Sequence, residues 1–127
     1  MKKIFVCSAF SGKDKEAVKK NVELTIKYCE KITQEGNAPF APHLIYPQWL
    51  NDKTKERDIG IACGLAFLRV CNALHFFTIG GVISPGMREE ITHAHFFGIL
   101  VYRREVIVGS GGTDVQVLDK YRDVVKR

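Results

Sequence analysis

The amino-acid sequence predicts an α/β fold, a single Rossmann-like or flavodoxin-like domain in which a parallel sheet carries helices on both faces. Three observations lead there. The apolar runs at residues 4–7, 73–78 and 99–102 have almost no polar alternation, as strands buried on both faces do. Between them lie stretches with helical periodicity, so that strand and helix alternate along the chain. Finally, at 127 residues with 46% hydrophobic and 26% charged, the chain fits one domain with its own core, and no apolar run approaches the roughly 20 residues of a membrane span.

Residues 3–8 place Ile-Phe-Val-Cys between polar ends and form the first, central strand. From Asp14 onward Val18, Val22, Ile26, Cys29 and Ile32 recur every three or four residues, and Gly36-Asn37 stops the pattern, which predicts the clearest helix of the chain. Pro39, Pro42 and Pro47 exclude a helix across residues 37–50 and leave room only for a short strand. A second helix is expected over about residues 54–71, where Gly60, Ala62, Cys63 and Gly64 imply close packing against another helix, one candidate being that of a second subunit. Residues 73–78 are the next strand, Gly80-Gly81 the loop beyond it, and residues 85–97 a helix that Gly98 ends as a left-handed cap. Residues 99–102 form another strand, and 103–108 extend it or add an edge. Residues 109–112 read as a flexible break, after which Val115, Leu118, Tyr121, Val124 and Val125 trace a short amphipathic terminal helix. The whole is one domain, 1–127, with its core at 3–102 and a strand/helix extension at 103–127.

The formal net charge of +5 suits an anionic ligand. The basic residues are dispersed, however, which argues for solubility and against nucleic acid as a partner. Cys7, Cys29, Cys63 and Cys71 contain no Cys-x-x-Cys pair and make no zinc spacing with His43, His75, His93 and His95, so reduced, mostly buried thiols and no metal are expected. His93 and His95, two apart on a helix, face different directions. The apolar run after Met1-Lys2-Lys3 is too short for a signal peptide, and a cytoplasmic protein is expected.

In parallel sheets ligands bind beyond the carboxyl ends of the strands, where the strand order reverses. Loops at residues 7–13, 41–48 and 78–87 would converge there. The most telling segment is Ser84-Pro85-Gly86-Met87-Arg88-Glu89-Glu90-Ile91. Ser84 stands at a helix entrance, Gly86 permits a ligand close to the backbone, and Glu90 falls about one turn inside, facing the same mouth. Glu89 reads as the solvated neighbour. His43, Tyr46 and Trp49 lie in the proline-rich loop over this mouth. His43 either contacts ligand or bonds the loop backbone, and the aromatic pair either stacks on a base or fills the gap between loop and sheet.

Ile4-Phe5-Val6-Cys7-Ser8-Ala9-Phe10-Ser11-Gly12, Ala41-Pro42-His43-Leu44-Ile45-Tyr46-Pro47-Gln48, and Ser84-Pro85-Gly86-Met87 with Glu90-Ile91 and Ala94 together resemble a bacterial and phage branch of the nucleoside 2-deoxyribosyltransferase-like superfamily. The resemblance covers residues 3–102. It implies an N-glycosidase or deoxyribosyltransferase acting on a nucleoside or nucleotide. Relatives in this superfamily, among them deoxynucleoside 5-phosphate N-hydrolases, break the bond between deoxyribose and base through a glutamate that captures the anomeric carbon. Glu90 matches that glutamate. Asp58 resembles the second acid, which protonates the departing base. Ser84, six residues before Glu90, matches a serine that contacts a 5-phosphate, and Ser8 and Ser11 lean the same way. Phe5, Cys7, Phe10, Gly12, Gly86 and Met87 fall in the matched motifs and join the expected ligand site with His43. Two positions depart from the pattern: Asn72 replaces an aspartate, and Phe5 replaces a tyrosine that orients the glutamate. These departures motivate a second reading, a nucleotide-binding protein that has lost the chemistry. The resemblance further implies a homodimer or larger assembly and no cofactor.

Overall fold

The sheet is built around β1 (Lys3–Cys7), whose run of apolar residues is buried almost from end to end. The computed structural model describes residues 1–51, 53–109, 115–117 and 122–123. In chain order the elements are β1, α1 (Lys15–Gln34), β2 (Ala38–Phe40), two single 3-10 turns at Pro42–Leu44 and Tyr46–Gln48, α2 (Glu56–Leu68), β3 (Ala73–Thr78), α3 (Pro85–Phe96), β4 (Leu100–Val108), β5 (Val115–Val117) and β6 (Arg122–Asp123). The strand order is β2-β1-β3-β4-β5, with β6 also paired to β4. The first four strands are parallel, and β5 and β6 run antiparallel to β4.

Side chains alternate along each strand and so divide the core in two. Ile4, Val6 and Phe77 meet Leu24, Tyr28 and Ile32 of α1 on one face, where the Tyr28 and Phe77 rings stack at 4.4 Å. Phe5, Cys7, Leu74 and Val101 meet Leu68 of α2 and Met87 and Ala94 of α3 on the other. Helices therefore cover both faces, and the α/β class expected from the sequence holds.

Local chemistry explains where elements start and stop. Asp14 caps α1 by accepting from Ala17 N at 2.9 Å, and Gly36 (φ 87°) and Gly98 (φ 73°) take left-handed conformations just past α1 and α3. Ser84 caps α3 by accepting from Met87 N at 3.2 Å, with Pro85 in the first helical position. Pro39 is tolerated because β2 is an edge strand.

Three expectations are corrected. The stripe expected on α1 is rotated: Leu24, Thr25, Tyr28 and Ile32 face the core, while Ile26 is exposed. Thr25 is drawn inward by a hydroxyl pair with Ser8 at 2.8 Å, a contact no hydrophobic periodicity reveals. Within this chain, Gly60 and Gly64 do not face another α-helix. A Cβ at Gly64 would lie 3.3 Å from Pro42 Cβ and one at Gly60 3.6 Å from Leu50 Cδ1, so both glycines seat this chain's own proline-rich loop. The terminal helix expected through Val115 is also absent where the chain is described. β4 runs on to Val108, and its β-branched Val106-Ile107-Val108 edge is paired by Val115–Val117 instead. Leu118, Tyr121, Val124, Val125 and residues 110–112 of the expected break lie outside the described residues.

The α1 face also holds a buried ionic cluster. Arg104, fully buried on β4, donates to both carboxylate oxygens of Glu35 at 3.1 and 2.6 Å, and its Nη1 lies 3.1 Å from His75 Nδ1. Burial first, then the Arg104 charge, push the His75 imidazole down to about 4, against a weaker opposing pull from Glu35. A neutral His75 then accepts at Nδ1 from the guanidinium.

Candidate active site

The loops after β1, β2 and β3 meet at the carboxyl ends of the central strands, where β1 and β3 diverge toward opposite edges of the sheet. They enclose a cavity of about 270 Å³. Phe10 and Ser11 line it from the first loop, Pro42, His43, Tyr46, Pro47 and Leu50 from the second, and Ser84, Pro85, Gly86, Glu89 and Glu90 from the third. The first turns of α2 close the remaining side with Glu56, Arg57, Gly60 and Ile61.

One wall is aromatic. The Phe10 and His43 rings are 5.2 Å apart and tilted by 43°, a platform on which a flat heterocycle can lie. Asn21 of α1 holds this wall in place, its Nδ2 donating to Phe10 O at 3.0 Å and Ser11 O at 3.2 Å. The opposite wall is polar. Ser84 uses an acceptor position to cap α3, which leaves its O–H for a ligand at the helix entrance. Arg57 passes close over Gly86, whose missing side chain leaves it room: a Cβ there would stand 3.7 Å from Arg57 Nη2.

Glu90 lies at the base of the cavity, only 7% exposed. Its Oε1 has no hydrogen-bond partner among the described residues. Burial pushes the carboxyl up to about 8 from its ordinary 4.5; a hydrogen bond with Cys7 opposes this and the Glu89 charge adds to it. Burial, followed by the Glu90 charge and hydrogen bond, likewise raises the Cys7 thiol well above its ordinary range.

Of the residues singled out in the sequence, the cavity brings together Phe10, Ser11, His43, Ser84, Gly86 and Glu90. Cys7 and Met87 lie beneath it: both are buried, and Cys7 Sγ is 3.7 Å from Met87 O. Phe5 is wholly buried against Phe40, with ring centroids 5.7 Å apart. Ser8 is buried on Thr25. Gly12 serves the approach of loop to helix, since a Cβ there would come within 2.5 Å of Ala17 Cβ. Trp49 is exposed, its ring set edgewise against Tyr46. Phe5, Cys7, Ser8, Gly12, Met87 and Trp49 thus do not line the cavity, and neither do Asp58 and Asn72. Asp58 is exposed on α2 and absent from the lining. Asn72 sits at the opposite end of the sheet, where its Oδ1 accepts from Lys3 N at 2.7 Å and its N donates to Lys3 O at 2.8 Å.

Glu56, Arg57, Ile61 and Asn21 were missed. The first three were legible in principle: residues 56, 57, 60, 61 and 64 form one stripe of a helix, from which Asp58 is rotated away. Asn21 carries no such signal, because its partners are backbone carbonyls in a loop.

The family described as Domain of unknown function (DUF7768) matches residues 2–104. The chain belongs to that family. Its matched span holds β1, β2, β3, the first part of β4, the three helices and every residue of the cavity. A 2-deoxyribosyltransferase from the psychrotolerant bacterium Bacillus psychrosaccharolyticus has a similar structure, with a TM-score of 0.64 and 15% identity, over 88% of this chain and 80% of that one. The likeness is one of fold, and it agrees with the mostly parallel sheet of the DUF7768 chain. No match to a curated protein was found. Among the described residues, no helix is long and apolar enough to cross a membrane.

Proposed function

We propose that this DUF7768 protein belongs with the nucleoside 2-deoxyribosyltransferase-like enzymes and cleaves the bond between base and sugar of a nucleoside or nucleotide, by hydrolysis or by transfer, with Glu90 as nucleophile. The observation that carries the reading is a buried carboxyl with an unpartnered oxygen at the floor of an aromatic-walled cavity, at the reversal point of a parallel sheet.

The base lies on Phe10 and His43. The 5′ end of the sugar, hydroxyl or phosphate, takes the Ser84 hydroxyl, Ser11, the α3 entrance and the Arg57 guanidinium. Ionised Glu90 attacks the anomeric carbon as the glycosidic bond breaks, and the positive charge on the sugar ring favours the carboxylate in the transition state. A carboxylic acid gives its proton to the departing base. Glu56 and Glu89 line the cavity and fit this role by position, whereas Asp58 fits it only if α2 moves. Water, or a second base, then displaces the sugar from Glu90.

A second reading has its own observation. With its carboxyl at about 8, Glu90 is mostly neutral at pH 7, and Phe5 offers it no hydroxyl. A nucleotide-sensing or sequestering protein on the same fold needs no ionised Glu90. A panel of nucleosides and 5′-monophosphates, incubated with the protein and chromatographed for free base, separates the two. Base release abolished in Glu90→Gln supports the enzyme, and tight binding without release supports the sensor.

We further propose that the chain self-associates through the outer face of α2, where Ile59 and Phe67 are exposed, with Val70 exposed just past its end. Mass measurement in solution, with Phe67→Glu as the disrupting variant, tests this.

A further inference from the structure

Cys7 ends β1 on the sheet face that carries α3, fully buried, with its sulfur 3.7 Å from Met87 O and the Glu90 carboxyl close enough that each shifts the other's titration. Met87 and Glu90 are three residues apart on α3 and both buried, so the Glu90 side chain leaves the helix on the face that Met87 presents to β1. Phe5, on the same face of β1, offers no donor.

A thiol carries one proton. While Glu90 is neutral, the S–H satisfies the Met87 carbonyl. Once Glu90 ionises, the carboxylate is the stronger acceptor, and the proton gains by turning to it. The other charged or titratable groups facing Glu90 are Glu89 on its own helix, Glu56 and Arg57 from α2, and His43 from the loop after β2. Glu89 opposes ionisation, and none of these comes from beneath the carboxyl, where Cys7 stands.

We propose that Cys7 positions Glu90 for its chemistry, its S–H turning from the Met87 carbonyl to the carboxylate as Glu90 ionises. The role rests on the reading that Glu90 reacts as a carboxylate.

The test titrates the side-chain carboxyl of Glu90 by carbon NMR in protein carrying ¹³C-labelled glutamate, the resonance being assigned by its loss in Glu90→Gln. Cys7→Ser, a stronger donor of similar size, lowers the midpoint by roughly one pH unit, and Cys7→Ala raises it by a similar amount. The pH profile of base release moves in the same order. Equal midpoints in wild type and both variants overturn the proposal, as does a midpoint in Cys7→Ala below that of Cys7→Ser. If Cys7→Ala does not fold, the wild type and Cys7→Ser decide the matter. The outcome is independent of the proposed reaction: undiminished base release in Glu90→Gln refutes the reaction and leaves the midpoints standing, whereas unmoved midpoints refute the role of Cys7 even in an active enzyme.

Discussion

Replacing Glu90 by glutamine removes a titration that should shape the stability of the whole domain. Folding lifts the Glu90 carboxyl from its ordinary 4.5 to about 8, so its contribution is fully present below pH 4.5 and is lost as pH rises through 8. At 1.36 kcal/mol per pH unit, that interval is worth roughly 5 kcal/mol at most. His75 works in the opposite direction: folding lowers it from 6.5 to about 4, so its contribution is present above pH 6.5 and is lost as pH falls toward 4. The two nearly cancel between pH 4.5 and 6.5. From pH 6.5 to 8 only Glu90 still acts, and the wild type loses up to roughly 2 kcal/mol, or about 8 °C in melting temperature for a domain of this size. Glu90→Gln, which cannot ionise, holds a level melting temperature over that window and gains stability from pH 5 to 6.5 as His75 becomes neutral in the unfolded chain. Thermal melts followed by circular dichroism at half-unit steps from pH 5 to 8 measure both curves. Parallel curves between pH 6.5 and 8 would refute the claim that Glu90 is held neutral by burial.

Glu35→Ala removes the carboxylate that faces the buried Arg104 guanidinium and destabilises by about 3–5 kcal/mol in urea unfolding, while adding Arg104→Met to it restores most of the loss. Phe10→Ala removes the platform for a base and weakens nucleotide binding by roughly ten- to a hundredfold in calorimetry, as expected for about 1–3 kcal/mol of stacking. Asn21→Ala frees the carbonyls of Phe10 and Ser11 and weakens binding several-fold, with the melting temperature within about 4 °C of wild type. Asp58→Asn leaves base release at the wild-type rate, and Glu89→Gln or Glu56→Gln slows it by about a hundredfold if that residue is the acid.

The fold was legible because its strands are buried on both faces, and such strands leave unbroken apolar runs that, alternating with helical segments, point to a parallel sheet. Residues 73–78 and their flanking helices therefore needed no tertiary information. Legibility failed where a tertiary partner outweighed local pattern. Tyr28 and Thr25 turn inward because Phe77 and Ser8 receive them, which rotates α1 away from the stripe that Ile26 suggested. Val115–Val117 is a strand because the edge of β4 is there to be paired, although its spacing to later apolar residues mimics a helix. In the cavity, Ser84, Gly86 and Glu90 could be read together because one strand-to-helix turn carries all three. Arg57 and Glu56 share a helical stripe with Gly60 and Gly64, but it is the packing of those glycines on the proline-rich loop that turns this stripe to the cavity.

The two faces of the sheet treat their buried charges in opposite ways. On the α1 face the terminal nitrogens of Arg104 meet two carboxylate oxygens and an imidazole nitrogen, so the buried charge faces an opposite charge at hydrogen-bond distance. On the α3 face Glu90 is buried nearly as deeply with a weak thiol donor and one oxygen unmatched. A domain selected for stability alone would have no reason to keep that carboxyl, since a methionine or leucine would fill the same space without a desolvation penalty. The penalty falls away if a ligand supplies what the protein withholds, namely a cationic sugar centre or a donor above Oε1. Binding and ionisation of Glu90 are then linked, and a ligand that favours the carboxylate must release a proton when it binds below pH 8. Calorimetric titration in buffers of different ionisation enthalpy at pH 7 reads that proton directly. A ligand that binds tightly with no proton released lies on a neutral Glu90, which is the signature of a sensor and not of a glycosyl-transferring enzyme.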